Sequence, residues 1–305
     1  MKRIVLAFGA LALAACGQST RADDPGAVCQ RDGDGATRIA ACTAVIENAE
    51  RSAEERAAAH AERAAAQQEA GDVTAALRDF EAALRLDENN AGALVGRARI
   101  LLASGQLDAA EPLLRRAIAE HESGEANEMM GQIALRRGQY DDAIAYFDAA
   151  LSKNARSAEA MAGRARTKQR MGDLGGASAD YDQAVRFDGA LADARAGRCW
   201  LDLNEQRDLV RARNDAEAAV AVDPRNVEAQ LCRGVLQLRG GEWANARASF
   251  DAALAVEPGN PTALFGRGVA RRRSGDNAGR QDMNRARDFD DRIGRSFDEM
   301  GVETY

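Results

Sequence analysis

The sequence predicts an all-α protein, a solenoid of about seven helix–turn–helix repeats closed by a cap at each end. Three observations predict it. First, residues 138–151 read as a turn opened by Gly138 and an amphipathic helix, with Ala143, Ile144, Phe147, Ala150 and Leu151 on one apolar face. That face is too small to bury itself and needs neighbours. Second, turn glycines recur at Gly71, Gly105, Gly138, Gly172, Gly241 and Gly275, in steps of 34, 33, 34, 69 and 34. The double step hides a copy whose turn has decayed around Gln206-Arg207. Third, small residues keep the same register (Ala76, Ala110, Ala143, Ala177, Ala212, Ala246, then Ala83, Ala117, Ala150, Ala184, Ala219, Ala253), with Phe80, Leu114, Phe147, Tyr181 and Phe250 between them.

A helix–turn–helix period of about 34 residues resembles the tetratricopeptide repeat, and the likeness covers about residues 57–290. It implies a right-handed α-solenoid that acts by binding a protein or peptide. Composition agrees: aromatics are only 5% of 305 residues, which suits close-packed Ala-rich helix pairs better than a large globular core. The net charge of −7 disfavours a nucleic-acid partner.

The chain opens with an export signal over residues 1–16: Lys2-Arg3, then an apolar run too short to span a bilayer. Its end, Leu13-Ala14-Ala15-Cys16, resembles the lipobox of bacterial lipoproteins. The resemblance implies that Cys16 becomes the first residue and carries the lipid that attaches the protein to a membrane, ordinary signal cleavage being the alternative. Gly17, rather than Asp, implies transfer to the outer membrane, facing the periplasm. Residues 17–28 read as a flexible tether and 29–56 as an N-terminal cap, a half-match to the repeat. In an exported chain Cys29 and Cys42 suggest a disulfide closing that cap. The intervening Asp32-Gly33-Asp34-Gly35 reads as a turn, since no Glu completes a calcium loop.

Seven repeats follow over 57–290. The fifth is irregular, with one extra residue, no turn glycine and Trp200 in its first helix. Pro112 predicts a late start or a kink in one second helix. Residues 288–300 continue as a capping helix, and 291–305 form the C-terminal capping helix and tail.

Cys199 and Cys232 lie 33 residues apart on successive first helices. They either pair or fill alanine-like sites, helix axes being commonly 8–10 Å apart and therefore wide for a disulfide. Arg97, Arg164, Arg198, Arg233 and Arg267 share one repeat position. Asp79, Asp180 and Asp282 recur on the second helices, so the ladder reads as structural ion pairs between helices, weak if exposed.

In the family that this chain resembles, one face of the first helices lines the ligand groove. Carried over position by position, the partner-binding residues are Arg99, Gln132, Arg136, Arg166, Arg170, Trp200, Leu203, Val235, Arg239 and Phe265. This mixture suits a peptide with apolar and acidic side chains. Catalysis has no support: His60 and His121 stand on different repeats, and there is no His-x-x-x-His, CxxC or nucleophile elbow, so no metal and no cofactor is expected. The expected function is a non-catalytic scaffold or adaptor of the bacterial envelope. A self-assembling envelope component or a peptidoglycan binder is the alternative.

Overall fold

The computed structural model describes residues 24–30 and 34–303. The expected signal segment and Cys16 lie outside the described residues, as do Asp32 and Gly33. The described residues form seventeen helices and no strand. Two compact units divide the chain, Met1–Leu113 and Leu114–Tyr305.

The first unit begins with α1 (Pro25–Cys29) and α2 (Gly35–Glu47). Part of the expected tether is therefore helix. Pro25 sits at the first helical position, where its missing N–H costs nothing. The segment is then held at both ends: Arg51 donates to Asp24 Oδ1 at 2.7 Å, and a disulfide joins Cys29 to Cys42 with Cα atoms 4.7 Å apart. Asp34 caps α2 by accepting from the Thr37 N–H. The unit continues with α3 (Ala53–Glu69), α4 (Val73–Leu86) and α5 (Ala91–Ala103). A capping box between Ser52 and Glu55 starts α3.

The helix α6 (Leu107–His121) contains Pro112. It begins on schedule, so a late start is excluded. The second unit holds α7 (Gly124–Arg136) and α8 (Tyr140–Lys153), α9 (Ala158–Met171) and α10 (Leu174–Phe187), α11 (Ala192–Asn204) and α12 (Leu209–Val222). Then come α13 (Val227–Arg239) and α14 (Trp243–Val256), α15 (Pro261–Arg273) and α16 (Gly279–Phe289), and last α17 (Ile293–Glu299). From α3 to α16 the helices fall into seven pairs. The turn glycines take positive φ between 72° and 86°, and in the irregular fifth pair Gln206 adopts the same left-handed conformation at 51°. The helix expected over 288–300 is broken: α16 ends at Phe289, and α17 restarts at Ile293.

Neighbouring pairs lock through one repeated device. The aromatic residue of a second helix enters a slot made by glycines of the first helices. Phe147 on α8 lies between Gly131 and Gly163, where an added methyl carbon would stand 2.8 Å and 2.4 Å from the ring. Phe250 lies likewise between Gly234 and Gly266. The residue after the slot glycine is an arginine of the ladder. Arg164 makes a two-pronged bond to Asp180, sixteen residues ahead, at 2.8 and 2.7 Å. It also reaches Asp148, sixteen residues behind, at 2.6 Å. Arg198 bonds Asp215 and Asp182 in the same way, and Arg267 bonds Asp282 and Asp251. Arg63 pairs with Asp79, whose other neighbour is His60. Arg97 reaches Glu81 at 3.5 Å, and Arg233 bonds Ser249 and Gln230 instead of an acid.

The ladder is therefore structural, but the aspartates that lie ahead of its arginines in the chain are not exposed. Asp79, Asp180, Asp215 and Asp282 are buried, as is Asp202, which Arg211 holds at 2.7 Å through both oxygens. Burial works against ionisation of Asp79 and Asp180, yet bonds from His60 and Arg63, and from Arg164 and Lys168, outweigh it and hold both carboxyls below their ordinary range. Removing one partner of such a pair leaves a buried charge uncompensated, at about 3–5 kcal/mol.

The cysteines of α11 and α13 are paired, with Cα atoms 6.5 Å apart. Beside the bridge two small buried residues, Ala196 of α11 and Ala229 of α13, pack in one cluster, which lets the two helices come close.

Gly163→Ala should lower stability by about 1–2 kcal/mol in urea unfolding, the overpacking at Phe147 exceeding the roughly 1 kcal/mol that alanine gains in a helix. Gly175→Ala, where the nearest atom would be 4.0 Å away, should not destabilise. The acid-linked stability has a definite sign. A carboxyl depressed in the folded state stabilises fully above its ordinary value of 3.8 and loses that contribution as pH falls through the depressed value. Stability should therefore fall steadily below about pH 4, and a flat profile in that window would show that the pairs contribute nothing.

Candidate peptide-binding site

Within the second unit, α7, α9 and the starts of α11 and α13 enclose a concavity of about 670 Å³. Its arginines are Arg136, Arg137, Arg166 and Arg170, and its acids are Glu159, Asp193 and Glu228. The separation has a local cause. Glu159, Asp193 and Glu228 stand in the first turns of their helices and Arg136 and Arg170 in the last turns, where each sign complements the helix dipole. Stacking the first helices side by side turns these end preferences into an acidic edge and a basic edge. Leu135, Ala162 and Leu191 supply apolar surface between them.

Four residues anticipated from the sequence, Gln132, Arg136, Arg166 and Arg170, are brought together here. They differ in exposure. Arg166 donates to Glu228 Oε2 at 2.8 Å. Burial opposes its charge, but Glu228 outweighs that and raises its pKa. Behind it Tyr181 is fully buried, donates to Gln169 Oε1 at 3.4 Å, and is pushed by burial to about 12, so the phenol stays neutral. Trp200 is half-buried and its indole N–H donates to the Glu228 carbonyl at 3.0 Å. It steadies the acid that holds Arg166 and does not line the concavity. Arg136 and Arg170 are exposed at the rim.

The other anticipated residues stand elsewhere. Arg99 is exposed on α5 in the first unit. Leu203, Val235 and Phe265 were expected on a ligand-facing surface, but they are fully buried in one cluster with Phe297, Met300 and Val302 of the C-terminal segment. Arg239 lies beside Gly301 of that segment and donates to Gln206 at 2.7 Å. The chain's own end covers the face that these residues line. The acids of the concavity were overlooked in the sequence, although Glu125, Glu159, Asp193 and Glu228 recur at steps of 34, 34 and 35.

Among the described residues no group of His, Cys, Asp or Glu could hold a metal ion, and no helix is long and apolar enough to cross a membrane. Models described as tetratricopeptide repeat match residues 67–133, 128–192, 201–255 and 233–279, more than half of the chain. The chain belongs to the tetratricopeptide repeat family.

Solved structures share the repeat fold at low identity. A tetratricopeptide repeat protein from Parabacteroides merdae ATCC 43184 aligns with a TM-score of 0.52 and 17% identity, over 80% of this chain and 98% of that one. The pilF protein of Pseudomonas aeruginosa gives 0.56 and 15%, over 69% and 96%. The Cut9–Hcn1 hetero-tetramer of APC/C gives 0.65 and 12%, over 77% of this chain and 48% of that one. No curated protein matches the sequence. At these identities the likeness establishes the α-solenoid fold alone.

Proposed function

We propose that this repeat protein is a non-catalytic interaction scaffold of the bacterial envelope, and that its second unit takes a peptide or protein segment in the concavity of α7, α9, α11 and α13. The observation that carries the reading is the convergence of Gln132, Arg136, Arg166 and Arg170, from two successive first helices, opposite Glu159 and Asp193. A segment with carboxylates beside apolar side chains satisfies the basic edge and the surface of Leu135, Ala162 and Leu191 at once. The tie between Arg166 and Glu228 fixes the floor before any ligand arrives, which lowers the ordering cost of binding. No cofactor takes part, and the net charge of −7 supports a protein partner over a nucleic acid. The signal segment and Cys16 support attachment to the outer membrane through lipid on that residue, with the repeats facing the periplasm.

The test is crosslinking and pull-down from native envelopes with wild type beside an Arg136→Glu/Arg170→Glu chain. These rim residues are exposed, so helicity and melting temperature should not change, while capture of the partner should fall at least tenfold. A partner retained by the folded variant places the docking site elsewhere. Cys16→Ala should move the protein from the membrane pellet to the soluble fraction, and unchanged sedimentation would remove the lipid from the reading.

A further inference from the structure

In a solenoid each repeat touches only its neighbours, and a terminal cap touches only the last repeat. The C-terminal segment of this chain does more. The helix α17 is seven residues long. It packs Phe297 against Phe265 of α15 with ring centroids 4.9 Å apart. At its end Gly301 takes a φ of 77°, and the N–H groups of Gly301 and Val302 bond to the carbonyls of Asp298 and Phe297 at 2.9 Å each. This turn reverses the chain. The reversed residues travel back along the stack. Arg273, at the end of α15, donates to the Glu303 carbonyl at 2.9 Å. Arg239, at the end of α13, lies against Gly301. Gln206, just beyond α11 and two repeats from the end, donates to the Glu299 carbonyl at 3.2 Å.

The kind of contact matters as much as its reach. Gln206 and Arg273 both bind main-chain oxygens, which any peptide offers, and Arg273 also meets the Glu303 carboxylate at 3.6 Å. Selectivity is left to that carboxylate and to four apolar side chains, Ile293, Phe297, Met300 and Val302, all buried. Main-chain bonds for affinity and side-chain pockets for specificity are the division of labour in peptide recognition. The joints between repeats combine an aromatic ring seated between glycines with arginines bonded to buried aspartates, and in one case a disulfide.

We propose that the face of α11, α13 and α15 around Leu203, Val235 and Phe265 is a second docking surface, occupied in cis by residues 293–303. The external partner that it accepts is an acidic-apolar segment of the same chemistry, with apolar residues at i, i+4, i+7 and i+9 beside carboxylates such as Asp298, Glu299 and Glu303. Such a partner competes with a tethered segment present at millimolar effective concentration, so its apparent affinity is lowered by the fraction of chains that are closed. The proposal rests on the reading of the protein as a docking scaffold, but it concerns a different surface.

The test uses a fluorescein-labelled peptide spanning residues 290–305 and the full chain carrying Phe297→Asp, read by fluorescence anisotropy. The opened chain should bind the peptide at least tenfold more tightly than wild type does. Gln206→Ala with Arg273→Ala in the opened chain should weaken binding several-fold. A Phe297→Asp chain that keeps its helical circular dichroism and does not bind the peptide overturns the proposal. Should that variant fail to fold, hydrogen exchange on wild type decides. Amides of 297–302 exchanging at least tenfold faster than those of α15 support a displaceable segment, and equal protection makes it a permanent part of the fold and overturns the proposal. Arg136→Glu/Arg170→Glu in the opened chain should leave peptide binding unchanged. Loss of binding there would put the peptide in the α7–α9 concavity and overturn the placement, so failure of that cavity as a partner site and failure of this surface are separate outcomes.

Discussion

The structure depends on the seam between one second helix and the first helices beside it. At Phe147 the seam has no spare volume: the ring fills the space that two glycines leave, so helix spacing is set by the thickness of an aromatic ring. The next residue, Arg164, then fixes rotation and slide by bonding acids sixteen residues to either side. Spacing, rotation and slide are the variables that place successive first helices side by side. The edges of unlike charge around the concavity exist because the seam aligns helix ends whose acids and arginines were each chosen locally by the helix dipole.

Local features were legible in the sequence because they repeat. The turn glycines, the helix pairs and the decayed turn at Gln206 all follow from a period of about 34 residues. The structural role of the arginine ladder was legible as well, but not the burial of its aspartates. An Asp on a second helix looks solvated until the neighbouring pair closes over it. The helix α1 was illegible for another reason: too short for periodicity, it is held by a disulfide and by the ion pair of Arg51 with Asp24. The burial of Leu203, Val235 and Phe265 depends on residues near 300 folding back to residue 206, and no repeat period carries a contact between residues 93 apart. Of the anticipated binding residues, Gln132, Arg136, Arg166 and Arg170 share the polar concavity, and Leu203, Val235 and Phe265 lie under the C-terminal segment.

The second unit thus carries two surfaces with opposite character. One is polar, with an arginine already committed to Glu228 and others at the rim. The other is apolar and is met by main-chain bonds and four buried side chains of the chain's own end. An exposed apolar strip spanning three repeats would invite association with other chains. Covering it in cis keeps that face out of solvent.

The disulfide between Cys199 and Cys232 closes a loop of 33 residues that contains all of α12. By the chain-entropy argument such a ring stabilises by roughly 4 kcal/mol. The enclosed helix belongs to the irregular fifth pair, the one without a turn glycine. Topologically, α12 cannot be peeled from the stack as a free hairpin, because both helices that flank it are the walls of the ring. A break at this repeat would have to carry α11 and α13 with it, so a tear in the solenoid is turned away from its most irregular point and toward the uncrosslinked seams on either side.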